Sequence, residues 1–232
     1  MLGQAVEDYL KAIFEVQRDH GKVATTVLAE RMGVAPASAT GMMKKLAALK
    51  LVRHNPYQGV VLTRAGEKVA LEVLRHHRLL ELYLAEALGY TWDQVHEEAC
   101  RLEHVISEAF EDKIFEALGR PTRDPHGEPI PTKDGKMPST DHEPLSDLQP
   151  GAAGTISQVR KSNPEMLRYL GARGLIPEAA IEVVEKAPFE GPLTVRTGNT
   201  SYVLGRQLAS HIRVEVEDGP AKARRRRLRE AV

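Results

Sequence analysis

A proline-rich segment divides this chain into two parts with different hydrophobic patterns, and this division constrains the fold strongly. Seven prolines lie between Pro121 and Pro150, interspersed with glycines and aspartates. Neither a helix nor a regular sheet is expected there, and the segment is predicted to be a linker. Apolar residues recur at helical spacing before it, and short extended runs follow it. The sequence therefore predicts a mainly α chain with a small β domain after the linker.

Helical periodicity near the N-terminus predicts a helix-turn-helix. A first helix is expected over residues 4–18. A second would begin at Thr25 or Thr26, either of which could cap it, and would end at Gly33. A third is expected over residues 36–49, with a proline in its first turn. Two short helices joined by a tight glycine-containing turn form a helix-turn-helix.

A hairpin and two longer helices are expected next. Residues 54–59 are rich in turn formers and residues 60–63 indicate a returning strand, so the two together would form a wing. A long helix is predicted over residues 64–88. Another would begin at Thr91, within a capping-box pattern, and continue to about Leu118.

The C-terminal part of the chain has the pattern of a small barrel. It contains five short extended runs separated by turn residues, which are residues 154–159, 180–184, 193–196, 201–204 and 212–216. The basic segment 222–229 is expected to be disordered. A weak attraction to phosphates and a solvated tail without a role are both open for it.

The charges of the chain are balanced overall but not locally. There are 32 Lys and Arg residues and 32 Asp and Glu residues. This balance argues at first against a nucleic-acid partner, because proteins that bind phosphates usually carry a positive excess. Residues 22–78, however, contain ten lysines and arginines but only three glutamates. Contacts with DNA are therefore expected from this segment.

The N-terminal sequence lacks the features of an export signal. It turns acidic within seven residues and has neither a basic start nor an apolar stretch. No apolar run approaches the ~18 residues that span a bilayer, so we expect a cytoplasmic protein. Its single cysteine, Cys100, cannot form an intramolecular disulfide. It is expected to be a buried residue of the core, a reactive thiol or a metal ligand.

Potential metal ligands are concentrated in the two longer predicted helices. Four of them follow one another at offsets of 0, 4, 7 and 8, namely His96, Cys100, Glu103 and His104. On one continuous helix they would share an arc of roughly 100°. His77 and Glu81 precede them at i and i+4, a spacing that lets two side chains bind one ion. Such a pair alone is more often a solvated ion pair, but the joint arrangement is harder to produce by chance. Imidazole, carboxylate and thiolate donors favour a borderline transition metal over Mg²⁺ or Ca²⁺.

Four short segments of characteristic sequence are spread over most of the chain. They are VHEEACRLEHV at residues 95–105, HRLLE at 77–81, EDYL at 7–10 and PHGEPIP at 125–131. Their sequences, order and spacing resemble those of the diphtheria-toxin-repressor family of iron and manganese regulators, and residues 95–105 are similar to its metal-binding helix. The resemblance implies a winged helix-turn-helix, a helical metal-binding and dimerisation domain, and a C-terminal SH3-like, FeoA-like barrel. The corresponding boundaries are 1–63, 64–120 and 148–218, with a linker at 121–147 and a basic tail at 219–232.

The resemblance also implies two metal sites. A primary, activating site would contain Asp8, Cys100, Glu103 and His104, and an ancillary site would contain His77, Glu81 and His96. Iron-responsive members have methionine at the position of Asp8, whereas manganese-responsive members have aspartate, and a hard carboxylate favours Mn²⁺. The manganese branch has glutamate at the positions of Cys100 and Lys11, so this ligand set is a hybrid. Mn²⁺ is therefore preferred and Fe²⁺ comes next, with other divalent transition metals able to substitute in vitro. In some iron-type members the C-terminal domain completes the ancillary site, but residues 157–160 offer Gln158 and no carboxylate.

By the same similarity, the helix that starts at Pro36 enters the major groove of DNA. Small residues would face the bases, namely Ala35, Ala37, Ser38, Thr40 and Gly41. The helix has no Arg or Asn on its leading turn for bidentate base contacts, so DNA shape and half-site spacing are expected to add specificity. Contacts with the DNA backbone are expected from Thr25, Thr26, Lys44, Lys45 and Tyr57.

These expectations predict a metal-dependent repressor, and not an enzyme, that binds palindromic operator DNA as a homodimer and controls metal-homeostasis genes. A stripe on the helix that begins at Thr91 could supply the dimer interface or pack within its own subunit; it contains Val95, Ala99, Leu102, Ile106, Ala109, Phe110 and Ile114. No membrane or small organic substrate is expected. The first alternative is a winged-helix regulator that senses redox state through Cys100 without metal. The second, less favoured, is a metalloenzyme. Activation at some promoters also stays open.

Overall fold

The computed structural model describes residues 2–55, 59–139, 142–160 and 163–216, which form two compact units. The first unit comprises the residues up to 89 together with 95–122 and 130–138, and the second comprises 90–94, 123–129 and the residues from 139 onward. In the described part of the chain, no helix is both long enough and apolar enough to cross a membrane. The predicted basic tail at 219–232 lies outside the described residues.

The N-terminal part of the first unit is a helix-turn-helix followed by a two-stranded hairpin. Its elements are α1 (Gln4–His20), α2 (Thr25–Arg31), α3 (Pro36–Ala48), β1 (Val52–Asn55) and β2 (Gly59–Leu62). The two strands pair antiparallel, with Arg53 opposite Val61, which confirms the predicted wing. All five elements contribute to one apolar core, whose fully buried members include Leu10, Ile13, Leu28, Met43, Leu46 and Val60.

The predicted threonine cap of α2 is wrong. The N-cap position is Ala24, and no side chain caps the helix. Thr25 is already helical, and its Oγ1 donates to Sδ of Met43 at 3.4 Å instead. The hydroxyl therefore ties α2 to α3.

The long helix α4 (Arg64–Leu88) begins and ends where the sequence predicts. The Thr63 hydroxyl oxygen accepts a hydrogen bond from the backbone N of Gly66 at 3.2 Å. Gly89 ends the helix in the left-handed conformation, with φ 74°. Gly66 also permits a close backbone approach, because a Cβ there would lie 2.0 Å from the carbonyl oxygen of Leu51. The residue before β1 and the first turn of α4 are thus in direct contact.

The single helix predicted over residues 91–118 is wrong. The structure has two helices here, α5 (Val95–Leu102) and α6 (Glu108–Ala117), with a turn between them. Two contacts account for the break. The carbonyl oxygen of Glu103 pairs with Nδ1 of His76 at 3.1 Å, outside the helical ladder. The hydroxyl of Ser107 accepts a backbone N–H from the first turn of α6 at 3.3 Å, and so caps it.

The second unit contains a six-stranded antiparallel sheet and two short helices. Its elements are β3 (Glu143–Pro144), β4 (Ala153–Val159), α7 (Pro164–Gly171), β5 (Ala180–Lys186), β6 (Leu193–Thr197), β7 (Thr200–Leu204), α8 (Arg206–Ser210) and β8 (Ile212–Val216). The strand order is β3-β8-β4-β5-β6-β7. All five predicted extended runs are strands, whereas neither α7 nor α8 was predicted. The core lies between the sheet and its helices and includes Leu145, Ile156, Leu170, Val195 and Val214.

The proline-rich segment is more ordered than the sequence suggests. His126 is fully buried and Ile130 is 3% exposed. Strand β3 pairs with β8, so the expectation that no part of the segment joins a regular sheet is wrong. Pro144 is compatible with this pairing because β3 lies at the edge of the sheet, where a missing N–H costs no ladder hydrogen bond.

Candidate metal centre

Three side chains from two distant parts of the sequence meet at the surface of α1. Asp8 lies on α1, while Glu103 and His104 lie in the turn after α5. Each offers one ligand atom, and these atoms lie within 4.8 Å of one another. Nε2 of His104 is 2.9 Å from Oδ1 of Asp8 and 3.4 Å from Oε1 of Glu103. The side chain of Glu103 is 1% exposed and that of Asp8 is 35% exposed, so solvent reaches this cluster from the Asp8 side.

Glu7 orients the imidazole of His104. Nδ1 of His104 donates to Oε2 of Glu7 at 2.6 Å, which leaves Nε2 as the ring atom that faces Asp8 and Glu103. A carboxylate on the outer nitrogen of a metal-binding histidine fixes the tautomer and strengthens the ligand. Sequence reasoning missed this role, although Glu7 belongs to the EDYL segment.

A second group of donors forms where α4 meets α5. Nε2 of His77 is 2.8 Å from Oε1 of Glu81 and 3.1 Å from Nδ1 of His96. Sγ of Cys100 lies 3.9 Å from His77 and 3.8 Å from His96. The structure therefore brings together the proposed ancillary ligands, but it groups Cys100 with them and not with Asp8 and His104.

Glu103 connects the two groups. One of its oxygens pairs with Nδ1 of His77, and its two oxygens accept hydrogen bonds from Nζ of Lys11 at 2.8 and 2.7 Å. Lys11 is itself 9% exposed. The two donor groups therefore share one buried carboxylate that is already held by a buried ammonium.

The electrostatics of the centre favour anionic donors. Burial opposes ionisation of Cys100, but hydrogen bonds from His77 and His96 and the charge of Lys11 outweigh it and lower its pKa to about 6. Burial likewise opposes ionisation of Glu103, yet His77 and Lys11 hold the pKa of its carboxyl below the ordinary value. Both side chains are therefore anionic at neutral pH, and they can accept a metal ion without first releasing a proton.

The donor chemistry fits a divalent transition metal. Carboxylate, imidazole and thiolate donors converge in a largely buried place, and the carboxylates are held by cationic or hydrogen-bond donor groups. Such mixed N, O and S donors suit Mn²⁺, Fe²⁺ or Zn²⁺ better than Mg²⁺ or Ca²⁺.

A neighbouring cluster behaves as a structural network. His76, Glu108 and Glu111 also bring potential ligand atoms together. The Glu111 carboxylate, however, accepts from Nε of Arg75 at 2.5 Å and pairs with Nε2 of His76 at 3.1 Å. Because Nδ1 of His76 contacts the carbonyl of Glu103, this network links the turn that carries Glu103 to α6.

The proposed DNA-contacting residues lie largely on accessible surface. The exposed ones are Thr26, Ala35, Ala37, Ser38, Gly41, Lys44 and Lys45, whereas Thr25 and Thr40 are half-buried. Oγ1 of Thr40 donates to the carbonyl of Pro36 at 2.8 Å, so this hydroxyl is engaged within α3. Tyr57 lies outside the described residues.

The apolar stripe of the predicted dimer helix divides between two environments. Val95, Ala99 and Ile114 are buried within their own unit, and Leu102 and Ile106 pack against the same core cluster. Ala109 is exposed, Phe110 is 45% exposed, and the neighbouring sequence contains Val105, which is 75% exposed. These exposed residues are available for contact with a second subunit.

Gln158, a polar side chain that the C-terminal domain offers in residues 157–160, is engaged within the second unit. Its Nε2 donates to Oε1 of Glu128 at 3.4 Å.

Comparisons with known proteins identify each part of the chain. Family models match residues 1–60 (iron dependent repressor, N-terminal DNA binding domain), 63–132 (iron dependent repressor, metal binding and dimerisation domain) and 143–216 (FeoA domain). The iron-dependent repressor IdeR of Mycobacterium tuberculosis is 28% identical over 226 residues, which are 92% of this chain and 98% of the relative. An uncharacterised HTH-type transcriptional regulator of Methanocaldococcus jannaschii is 36% identical over 118 residues, which are 50% of this chain and 91% of that protein.

Solved structures agree with these matches. A manganese-dependent transcriptional repressor in complex with manganese superposes with a TM-score of 0.86 at 38% identity, covering 91% of this chain and all of the other. The manganese regulator SloR superposes with a TM-score of 0.76 at 30% identity, covering 91% of this chain and 98% of the other.

Proposed function

The chain belongs to the iron-dependent repressor family of metal-dependent transcriptional repressors, and on that premise we propose that it binds palindromic operator DNA as a homodimer when Mn²⁺ occupies the metal centre. The convergence of Asp8, Glu103 and His104 carries this proposal. This cluster joins α1 of the DNA-binding part to the turn between α5 and α6. The presence or absence of a bound metal can therefore set the position of the winged helix-turn-helix.

The side chains of the centre perform defined tasks in this mechanism. Glu7 holds the His104 ring with Nε2 turned toward Asp8, and Glu103 shares its carboxylate between Lys11 and His77. Asp8, Glu103 and His104 would hold the divalent cation, and their shared ligation would link α1 to the turn after α5. Because α1 packs against α2 and α3, holding Asp8 restrains the whole helix-turn-helix. In a homodimer, this restraint fixes the spacing of the two recognition helices.

Without that restraint, the DNA-competent spacing is sampled only part of the time. The apparent affinity for the operator then falls by the fraction of protein in the competent arrangement. The exposed Lys44 and Lys45 near the C-terminal end of α3 support contacts with the DNA backbone of each half-site.

Mn²⁺ is our first choice of metal and Fe²⁺ the second. The hard carboxylate of Asp8 supports Mn²⁺, and so does the likeness to a repressor solved in complex with manganese. The Cys100 thiolate, which lies with His77 and His96, supports a softer ion. An operator-binding titration with Mn²⁺, Fe²⁺, Co²⁺ and Zn²⁺ at matched free concentrations and fixed salt decides between them. Activation by Zn²⁺ at lower concentrations than Mn²⁺ would contradict the preference.

Redox sensing through Cys100 is a second candidate function, favoured by the lowered pKa of its thiol. The Cys100→Ser variant separates the two functions. A purely redox sensor would lose its response to oxidants and would ignore added metal, whereas the proposed repressor keeps a response to Mn²⁺ through Asp8, Glu103 and His104. IdeR and the manganese-dependent protein are transcriptional repressors, which supports a regulator over a metalloenzyme; turnover by the metal-loaded protein would contradict this.

A further inference from the structure

Lys11 is an unusual neighbour for a metal centre. It lies three residues after Asp8 on α1, so both side chains project from the same face of that helix. Its Nζ is within 2.8 Å of both carboxylate oxygens of Glu103, and the pair is almost completely withdrawn from water. A fixed positive charge therefore contacts a proposed ligand on both of its oxygens.

We propose that Lys11 is a resident cation of the metal centre, which takes the place of a second divalent ion at Glu103 and limits the cluster with Asp8 and His104 to one ion. This inference rests on the proposed function, because it concerns the same centre. It assigns Lys11 a role in setting metal stoichiometry and affinity.

The geometry leaves little room for two ions at this carboxylate. A carboxylate that bridges two metals uses one oxygen for each, but both oxygens of Glu103 are engaged by Lys11. A metal–oxygen bond of about 2.0–2.2 Å would place any ion on Glu103 close to the ammonium. One oxygen can turn to a first ion while Lys11 keeps the other. A second ion would have to displace Lys11 altogether.

The charges lead to the same result. Asp8 and Glu103, together with Glu7 on His104, contribute three negative charges and Lys11 one positive charge, so this cluster carries a net charge of −2. One divalent ion neutralises it, and two would change it to +2. Because the side chain of Glu103 is 1% exposed, water screens such an excess poorly. Lys11 should therefore weaken binding of the first ion and prevent binding of the second.

The test counts Mn²⁺ ions in the full-length chain. Native mass spectrometry and calorimetry would compare the wild type with Lys11→Met, which removes the charge and preserves most of the side-chain length. Lys68→Met is the matched control, because Lys68 is exposed on α4. We expect Lys11→Met to bind one more Mn²⁺ per subunit and to bind the first ion at least tenfold more tightly, while Lys68→Met behaves like the wild type. Equal stoichiometry and equal affinity in Lys11→Met and the wild type would overturn the proposal.

Two further measurements keep the test decisive if Lys11→Met does not fold. Lys11→Gln keeps a hydrogen-bond donor without the charge and should also bind the extra ion, whereas Lys11→Arg keeps the charge and should not. Electron paramagnetic resonance of the wild type with Mn²⁺ should show magnetically isolated ions. A spin-coupled Mn²⁺ pair in the wild type would overturn the role of Lys11. A wild type that binds Mn²⁺ but whose affinity for DNA does not change with Mn²⁺ would instead contradict the proposed function. The number of bound ions would still test the role of Lys11.

Discussion

Glu103 accepts hydrogen bonds from Lys11 and pairs with His77, although its side chain is 1% exposed. A carboxylate buried to this degree is stable only when cationic or donor groups surround it. Its partners therefore stabilise the buried carboxylate in the absence of metal. If Glu103 ligates a metal as proposed, the ion would compete with Lys11 and His77 for the same oxygens.

Glu103→Gln should affect stability and metal binding together. The change leaves the Lys11 ammonium buried beside a neutral amide, and breaking a buried ion pair in this way typically costs about 3–5 kcal/mol. Urea unfolding of the metal-free protein would measure the loss, and calorimetry should show that Mn²⁺ binding at the cluster is lost. Glu97→Gln, an exposed position on α5, is the control and should change neither. Unaltered Mn²⁺ binding in Glu103→Gln would contradict the assignment of this ligand.

The thiol of Cys100 should react as a thiolate at neutral pH. With its pKa lowered to about 6 by His77, His96 and Lys11 against the effect of burial, the rate of alkylation by iodoacetamide in the metal-free protein should rise with pH and reach half its maximum near pH 6. His96→Gln removes one of the stabilising hydrogen bonds and should move this midpoint upward. A wild-type midpoint near that of an ordinary cysteine, about 8.5, would contradict the described environment.

At this scale the sequence predicts short-range pairs better than long-range ones. The i, i+4 spacing of His77 and Glu81 can be recognised without a structure, and their side chains are in contact. The partners of Lys11 and Glu7 are 92 and 97 residues away in sequence. Only the packing of α1 against the turn after α5 determines those pairs, so no spacing rule could find them.

The break between α5 and α6 has the largest consequence among the elements. The ligand arc inferred for one continuous helix does not exist, because Glu103 and His104 lie in the turn beyond α5. The turn lets them approach Asp8, while Cys100 stays on the helix beside His77 and His96. One run of sequence thus contributes to two donor groups.

Ser107→Ala should weaken the start of α6. The hydroxyl of Ser107 satisfies a backbone N–H of the first helical turn, and loss of such a cap typically costs about 1 kcal/mol. Thermal unfolding followed by circular dichroism would measure it. Ser107→Asp retains an acceptor near the positive end of the helix dipole and should keep the wild-type stability. Equal melting temperatures for the alanine and aspartate variants would show that this cap contributes nothing.

Gly66→Ala should disturb the contact between the wing region and α4. The new Cβ would lie 2.0 Å from the carbonyl oxygen of Leu51, and since both sides are backbone, we expect a loss of about 1–3 kcal/mol, as for other overpacked sites. Gly41→Ala on α3 is the matched control, because a Cβ there meets nothing within 4 Å. That change should be neutral or stabilise the protein by up to about 1 kcal/mol. Urea unfolding of both variants decides the comparison; a stable Gly66→Ala protein would contradict the close approach.

Element boundaries were predictable where local chemistry sets them. Thr63 caps the start of α4 and Gly89 ends it, and both signals can be read from the sequence alone. The turn at Glu103 depends on a contact with His76 from another helix, and apolar spacing continues across it. Helix α8 spans only five residues, too few for periodicity to be recognised. Strand β3 is fixed by its partner β8.

At the scale of the whole molecule, the charges are unevenly distributed along the chain. Although the net charge is zero, the basic excess lies in residues 22–78, which include α2, α3 and the hairpin. The order of domains could be predicted from the resemblance of four short segments, and the three family matches confirm that family. The metal preference could not, because Asp8 and Cys100 favour different ions.

The central claim is that metal and operator binding are coupled through Asp8, Glu103 and His104. Any such coupling is reciprocal, so each ligand must tighten the other by the same factor. The most direct measurement is therefore the Mn²⁺ affinity of the full-length protein with and without a saturating duplex, selected from random DNA by the Mn²⁺-loaded protein, at fixed salt. We predict that the duplex tightens Mn²⁺ binding by the factor by which Mn²⁺ tightens DNA binding, and that Asp8→Ala abolishes both effects while the protein stays folded. An Mn²⁺ affinity that is the same with and without the duplex would contradict the account.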